Sequence, residues 1–257
     1  MKMKVNPVLQ ANIAGRRSVG TWLTLGNPFV AEMFGKIGFD WIMIDRQHGS
    51  IEWNEVGPAI QAVELGGSCA LVRVDWNSPE LIMRALDLGA AGVVVPMVST
   101  AEDARRAAEA ARYPPRGIRS YGPLRGYYLA NAQQFEPACI VMIETRQALE
   151  NLEEIARTPG VDGLFVGPAD LALDLGVPIS LPMHADVMSA IDKMVAVCAS
   201  AGILPGAASF NTQNAEDLLG RGVRFITLGA DISYMRRAAQ QDMEFLNGLE
   251  AKESTTS

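Results

Sequence analysis

Short, nearly uninterrupted apolar runs alternate with longer amphipathic stretches from one end of the chain to the other. The runs lie at about 18–24, 39–44 (with Asp45 at the end), 69–74, 92–96, 139–144, 161–166, 203–207 and 223–228. Runs of this length bounded by turn residues predict strands, and continuous rather than alternating apolarity predicts parallel strands covered on both faces. The intervening stretches carry helix punctuation. Pro28 opens a helix that closes near Gly35 or Gly38, and the next runs to about Leu65 and stops at Gly66-Gly67. Ser78-Pro79-Glu80 combines an N-cap hydroxyl, a proline at the first helical position and an acid. Thr100 and Asp103 have capping-box spacing, with Asp in the usual Glu place. Further helices are predicted over 185–201, from Asn211 to about Gly220, and from Asp231 onward. Two stretches, 117–137 and 170–182, break the pattern and are expected as irregular loops.

The hand-off from helix to strand repeats. Gly38-FDWIMID, Gly89-AAGVVVP, Gly160-VDGLFVG and Gly222-VRFITLG each close a helix with glycine and begin a strand at once. Eight strand–helix units in about 250 residues predict a single-domain (β/α)8 TIM barrel. Its expected span is 1–250, followed by a polar, disordered tail at 251–257. A doubly wound open sheet is the alternative, but no GxGxxG follows the first strand.

Composition narrows the partners. The 257 residues carry a net charge of −7 and no marked basic run, which argues against nucleic acid. No apolar stretch approaches the ~18 residues of a membrane span. The N-terminus has basic residues but no apolar signal core, so a cytoplasmic location is expected. Cys69, Cys139 and Cys198 are isolated in apolar settings and read as buried thiols in a reducing compartment.

Barrel enzymes build their sites at the C-terminal ends of the strands. The polar residues predicted there are Asp45 to His48, Arg73, Glu144 and Asp170. Each has an ordinary alternative. His48 could be a loop histidine, Arg73 could pair with Asp45 inside the barrel, Glu144 could cap the helix that follows it, and Asp170 could be an N-cap or a turn. The pair Glu144 and Asp170, on neighbouring predicted strands, suits a hard divalent cation better than either does alone. His184 precedes a helix and reads as structural. A Schiff-base mechanism needs a strand-end lysine, and Lys2, Lys4, Lys36, Lys193 and Lys252 all fall elsewhere. A cysteine nucleophile needs an exposed, activated thiol, whereas Cys69 and Cys139 sit within apolar strands.

The segments FDWIMIDRQHG, LVRVD, LDLGAAGVVVPMV, ARYPPRGIRS, MIET and VDGLFVGPADLALDLG resemble the class II pyruvate-dependent aldolases of the HpcH/HpaI aldolase/citrate lyase family over nearly the whole chain. The resemblance implies a metal-dependent aldehyde-lyase. Such an enzyme reversibly cleaves a 4-hydroxy-2-oxoacid to an aldehyde and pyruvate, or an analogue such as hydroxypyruvate, through a metal-bound enolate. By motif, Glu144 and Asp170 match the metal ligands, for Mg²⁺, Mn²⁺ or Co²⁺. His48 matches the catalytic base with Asp45 as its orienting partner, and Arg73 the arginine on the substrate keto oxygen. Gly167, Pro168 and Ala169 match the backbone that receives the carboxylate, and Gln47 and Trp22 are further expected substrate contacts. The family resemblance also implies a homohexamer, a dimer of trimers, in which Asp87 reaches a neighbouring subunit's site. Two departures stand out: Gln47 occupies a position where many members have Glu, and the 117–137 segment, expected to line the mouth, is shorter. The rival readings are an acyl-CoA lyase of the citrate lyase β and malyl-CoA lyase branch, and a non-catalytic ligand-binding barrel.

Overall fold

The computed structural model describes residues 6–125 and 136–255. Its eight parallel strands are β1 (Ser18–Leu23), β2 (Trp41–Asp45), β3 (Cys69–Arg73), β4 (Gly92–Val95), β5 (Ala138–Ile143), β6 (Gly163–Val166), β7 (Leu204–Ser209) and β8 (Phe225–Ala230). They close into a barrel in sequence order, β8 pairing back onto β1. The helices are α1 (Pro7–Ile13), α2 (Pro28–Ile37), α3 (Trp53–Gly66), α4 (Pro79–Asp87), α5 (Ala101–Ala110), α6 (Arg146–Glu150), α7 (Leu152–Ala156), α8 (Pro168–Leu175), α9 (Ala185–Ala201), α10 (Thr212–Gly220) and α11 (Asp231–Thr255). The expected TIM barrel is therefore present.

The four repeat glycines explain the hand-off. Gly38, Gly89, Gly160 and Gly222 all hold φ between 90° and 106°. That left-handed conformation ends a helix and turns the chain back into the sheet at little steric cost only for glycine. The capping box at Thr100 and Asp103 forms with both bonds present, and Asn211 accepts from Asn214 N–H at 2.8 Å.

Two apolar layers result. The outer one lies between strands and helices and includes Ile42, Ile44, Val72, Val93, Val141 and Val166. The inner one fills the barrel with Trp41, Met43, Leu71, Met142, Phe165 and Phe225. Trp41 stacks on Phe225 with centroids 4.0 Å apart. Side chains alternate along a strand, so the position two beyond each inner residue also faces the interior, one rung higher. Above Met43 stands Asp45, above Leu71 stands Arg73, and above Met142 stands Glu144. The apolar filling thus ends in a polar rim at the C-terminal end.

The other end is closed by α1, which the sequence pattern did not predict. Val8 packs into the inner layer, and Asn6 Nδ2 donates to the carbonyls of Ala91 (2.7 Å) and Glu136 (2.9 Å).

Three expectations need correction. Residues 168–175 form α8 rather than an irregular loop. Pro168 stands at its first position, Leu171 and Ala172 are buried, and Gly176 (φ 74°) ends it. The last helix continues through 251–255, into the stretch expected as a tail, and 256–257 lie outside the described residues. The described part of 117–137 does not line the mouth. It connects α5 to β5 and therefore runs at the N-terminal end of the barrel. There Arg119 pairs with Asp87 at the end of α4, and Arg125 with Glu64 near the end of α3, each at 2.7 Å. Residues 126–135 of that segment, with Tyr127 and Tyr128, lie outside the described residues.

Candidate active site

Asp45 and Arg73 end neighbouring strands and are register partners. Both side chains are buried, and they meet in a bidentate pair: Nε to Oδ1 at 2.9 Å and Nη2 to Oδ2 at 2.7 Å. Burying two charges requires this quality of geometry, because removal from water costs several kcal/mol per ion. The guanidinium carbon also lies 4.2 Å from the ring centroid of Trp22, on β1. Trp22 in turn meets Phe165 edge to face at 6.2 Å. Arg73 is thus held by a carboxylate and by an aromatic face, and Nη1 is left without a hydrogen bond among the described residues.

Asp45 has a second task. Its Oδ1 accepts the backbone N–H groups of Gln47 (3.0 Å) and His48 (3.2 Å). It shapes the loop that carries the histidine but does not touch the imidazole. The imidazole is exposed and has no hydrogen bond among the described residues. The expected pairing of Asp45 with the His48 ring is therefore replaced by pairing with Arg73 and with the loop backbone. Gln47 Oε1 is buried without a hydrogen-bond partner, which a water or a bound ligand would supply.

Glu144 follows β5 and is buried. It does not cap the next helix. Thr145 does so, its hydroxyl accepting from Ala148 N–H at 3.0 Å. Instead Glu144 Oε2 accepts the N–H of Met97 at 2.9 Å. Met97 holds φ 56°, an uncommon conformation for a residue with a side chain. No sequence signal marks it, because left-handed residues are usually glycine or asparagine. Burial pushes the Glu144 carboxyl up to about 7; the Met97 N–H and Arg73 act against this, and the charge of Asp170 adds to it.

Asp170 lies in the first turn of α8 and is exposed. Gly167 is the N-cap of that helix, and a Cβ on it would fall 2.5 Å from Glu144 Oε1. Only glycine lets the backbone lie this close to the carboxylate. The N–H groups of Ala169 and Asp170, in the first helical turn, have no partner within the helix. Such a terminus favours an anion.

The donors near one another here are oxygen atoms of two carboxylates whose charges repel. Among the described residues no group of three or more His, Cys, Asp or Glu side chains converges. Two carboxylates fit a hard divalent cation that keeps several ligand positions for water or substrate oxygens. They do not fit a closed structural zinc site.

The remaining candidates lie elsewhere. Asp87 is at the N-terminal end of the barrel, paired with Arg119, and cannot serve the rim of its own chain. His184 caps α9, Nδ1 accepting from Asp186 N–H at 3.3 Å. Lys36 and Lys193 sit on helices. Burial raises the thiols of Cys69 to about 11 and of Cys139 and Cys198 to about 12, leaving no activated sulfur.

Known proteins resemble this chain over most of its length. The family model described as HpcH/HpaI aldolase/citrate lyase matches residues 18–238. A 2-dehydro-3,6-dideoxy-6-sulfogluconate aldolase from Pseudomonas putida is 37% identical over 245 residues, covering 92% of this chain and 95% of that one. A hydroxypyruvate/pyruvate aldolase from Rhizorhabdus wittichii is 40% identical over 238 residues, covering 88% and 93%. The crystal structure of an HpcH/HpaI aldolase/citrate lyase family protein from Burkholderia cenocepacia superposes with a TM-score of 0.85 at 33% identity, covering 95% of this chain and 100% of that one. With the strand-end constellation in place, the chain is an enzyme of the HpcH/HpaI aldolase/citrate lyase family.

Proposed function

We propose that this enzyme reversibly cleaves 4-hydroxy-2-oxoacids to an aldehyde and pyruvate or hydroxypyruvate, with a divalent cation held by Glu144 and Asp170. The observation that carries the reading is the buried Glu144 beside Asp170, facing the Arg73–Asp45 pair across the rim. The names of the relatives support the substrate class.

When bound, Mg²⁺, Mn²⁺ or Co²⁺ would act as a Lewis acid towards the 2-oxo group. Arg73, fixed through Nε and Nη2, offers Nη1 to the same oxygen as charge develops there. The N–H groups at the start of α8, next to Gly167, Pro168 and Ala169, receive the substrate carboxylate. His48 takes the proton of the 4-hydroxyl. The C3–C4 bond then breaks, the aldehyde leaves, and the electron pair moves into the enolate of the oxoacid. His48, directly or through water, returns a proton to C3 to give the methyl group of pyruvate, and in the reverse direction removes it. Trp22 and Gln47 border the same space. The apolar floor below (Met43, Leu71, Met142 and Phe165) excludes water from beneath.

An acyl-CoA substrate is disfavoured by the chain's charge of −7. A homohexamer is consistent with exposed apolar side chains on α2 (Phe29, Ile37) and α11 (Phe245, Leu246). In a hexamer Asp87, paired with Arg119 at the foot of the barrel, would approach a neighbour's rim. A cytoplasmic location agrees with the free cysteines, and among the described residues no helix is long and apolar enough to cross a membrane. The deciding experiment is proton–deuterium exchange at the pyruvate methyl group, with and without cation. Exchange that requires the cation supports an aldolase, and its absence under both conditions would leave a binding protein or an acyl-CoA enzyme.

A further inference from the structure

Asp231 begins α11, directly after β8, and is 1% exposed. A carboxylate so deeply buried would ordinarily have a cationic partner, but no salt bridge involving Asp231 is found among the described residues. Its oxygens are satisfied by donors from the end of β1 instead. Oδ1 and Oδ2 both accept from Thr24 N–H at 3.0 Å. Oδ1 also accepts from the Thr24 hydroxyl and from Ile232 N–H, and Oδ2 accepts from Leu25 N–H at 2.8 Å. The ends of β1 and β8 are clasped through one side chain.

The clasp extends to a third loop. The carbonyl of Thr24 accepts the N–H of Ser50 at 2.8 Å and its hydroxyl at 3.3 Å. Gly49 lies against the same carbonyl: a Cβ there would fall 2.9 Å from Thr24 O and 2.2 Å from Asp45 O. The loop carrying His48 is therefore fixed from two sides. Asp45 binds its first half, through the amides of Gln47 and His48. Thr24 binds its second half, and Asp231 holds Thr24.

We infer that Asp231 is a positioning residue for His48, acting through Thr24 and Ser50; the inference rests on the aldolase reading of the site. A carboxylate is required because both oxygens face N–H donors. An asparagine of the same shape would turn its own N–H groups towards one of them, and the clasp would open. Glu144 and the Gly167–Ala169 backbone, which follow β5 and β6, share no hydrogen bond with the clasp, and Arg73, which touches β1 through Trp22, keeps its two bonds to Asp45. Loss of the clasp should therefore disturb the proton acceptor and spare oxoacid binding.

The test is a double-mutant cycle on the metal-loaded enzyme, with methyl proton exchange in D₂O and pyruvate affinity as readouts. In Asp231→Asn, exchange should fall roughly 10–100-fold, the cost of about 1 Å of misplacement of a reacting group. Pyruvate affinity should stay within about twofold, a small fraction of the ~1.4 kcal/mol that corresponds to a tenfold change. In a His48→Ala background, followed over longer incubation, the same substitution should cause no further loss. Thr24→Val, which removes the hydroxyl contact and keeps both amides, provides a milder second cycle if Asp231→Asn does not fold. Its smaller loss should likewise vanish without His48. An equal loss with and without His48, or unchanged exchange in the single variants, would overturn the inference while leaving the aldolase reading intact. Absence of exchange in the wild-type enzyme would overturn the aldolase reading and this inference together.

Discussion

Replacing Glu144 by Gln should remove a loss of stability that the cation-free protein suffers as the pH rises, while removing its activity. Glu144 is 2% exposed, and its carboxyl is raised from 4.5 to about 7, chiefly by burial. The folded state therefore binds this proton more tightly than the unfolded chain does. The side chain's contribution to stability is complete below pH 4.5 and is lost as the pH rises through 7. Linkage converts that interval into about 2–3 kcal/mol lost between pH 5 and pH 8. Glutamine cannot ionise, so the variant lacks this slope. Its amide oxygen can still accept the Met97 N–H, while its NH₂ group gains no assured acceptor; that penalty, about 1–3 kcal/mol, applies equally at every pH. The quantity to follow is thus the difference between variant and wild type. It should move in the variant's favour by about 2–3 kcal/mol between pH 5 and pH 8, measured by urea unfolding in chelator at fixed protomer concentration. Added Mg²⁺ or Mn²⁺ should stabilise the wild type at pH 8 by mass action and leave the variant unchanged. Parallel stability–pH curves for the two proteins would refute the argument. They would mean that burial does not penalise the ionised Glu144 carboxylate.

Chelation should abolish turnover and Mg²⁺, Mn²⁺ or Co²⁺ should restore it, whereas borohydride should trap no pyruvate adduct by mass spectrometry; a trapped imine would contradict the metal mechanism. His48→Ala should keep pyruvate affinity by calorimetry and lower proton exchange by about 10²–10⁴-fold, the usual worth of a positioned general base. Arg73→Ala should weaken pyruvate binding, lower exchange by roughly 3–4 kcal/mol in the transition state, and cut stability because Asp45 is left buried and unpaired. Arg73→Lys should recover only part of this, since an ammonium cannot reproduce the fork. Light scattering should give the mass of a hexamer, and a monomer at micromolar concentration would contradict the assembly.

The barrel was legible because the strands read as nearly unbroken apolar runs and four of the hand-offs are marked by a glycine that the backbone needs. The rim was legible for the same reason: Asp45, Arg73 and Glu144 continue the inward side of their strands, so a period of two foretells where they point. What could not be read is whatever joins residues distant in sequence. The sequence allowed Arg73 to pair with Asp45, but nothing in the run LVRVD shows that the pair would be bidentate and leave His48 only the backbone contact. Nothing in VVVPMV marks Met97 as the left-handed residue whose N–H meets Glu144. Helix α8 was missed although Pro168 and Gly176 bracket it, because its eight residues span barely two turns and the glycine and proline before it resemble a loop. The composition of the 117–137 segment suggests a binding loop at the mouth, whereas its described part runs at the foot of the barrel. The alternation of strands and helices alone would have placed it at the foot.

The clasp between Thr24 and Asp231 also bears on how the enzyme comes into being. Its partners are 207 positions apart in sequence, and the pairing of β1 with β8 spans a similar distance. Contacts of such separation bear a large loop-closure entropy before they return any energy, and chains dominated by them fold slowly. During synthesis, β1 through β7 and most of the rim, including Glu144 and Arg73, emerge before Asp231 does. The arm that carries His48 is therefore held from both sides only when the last strand closes the circle. Until that closure the loop is held by Asp45 alone, so the base gains its second anchor in the same event that completes the barrel.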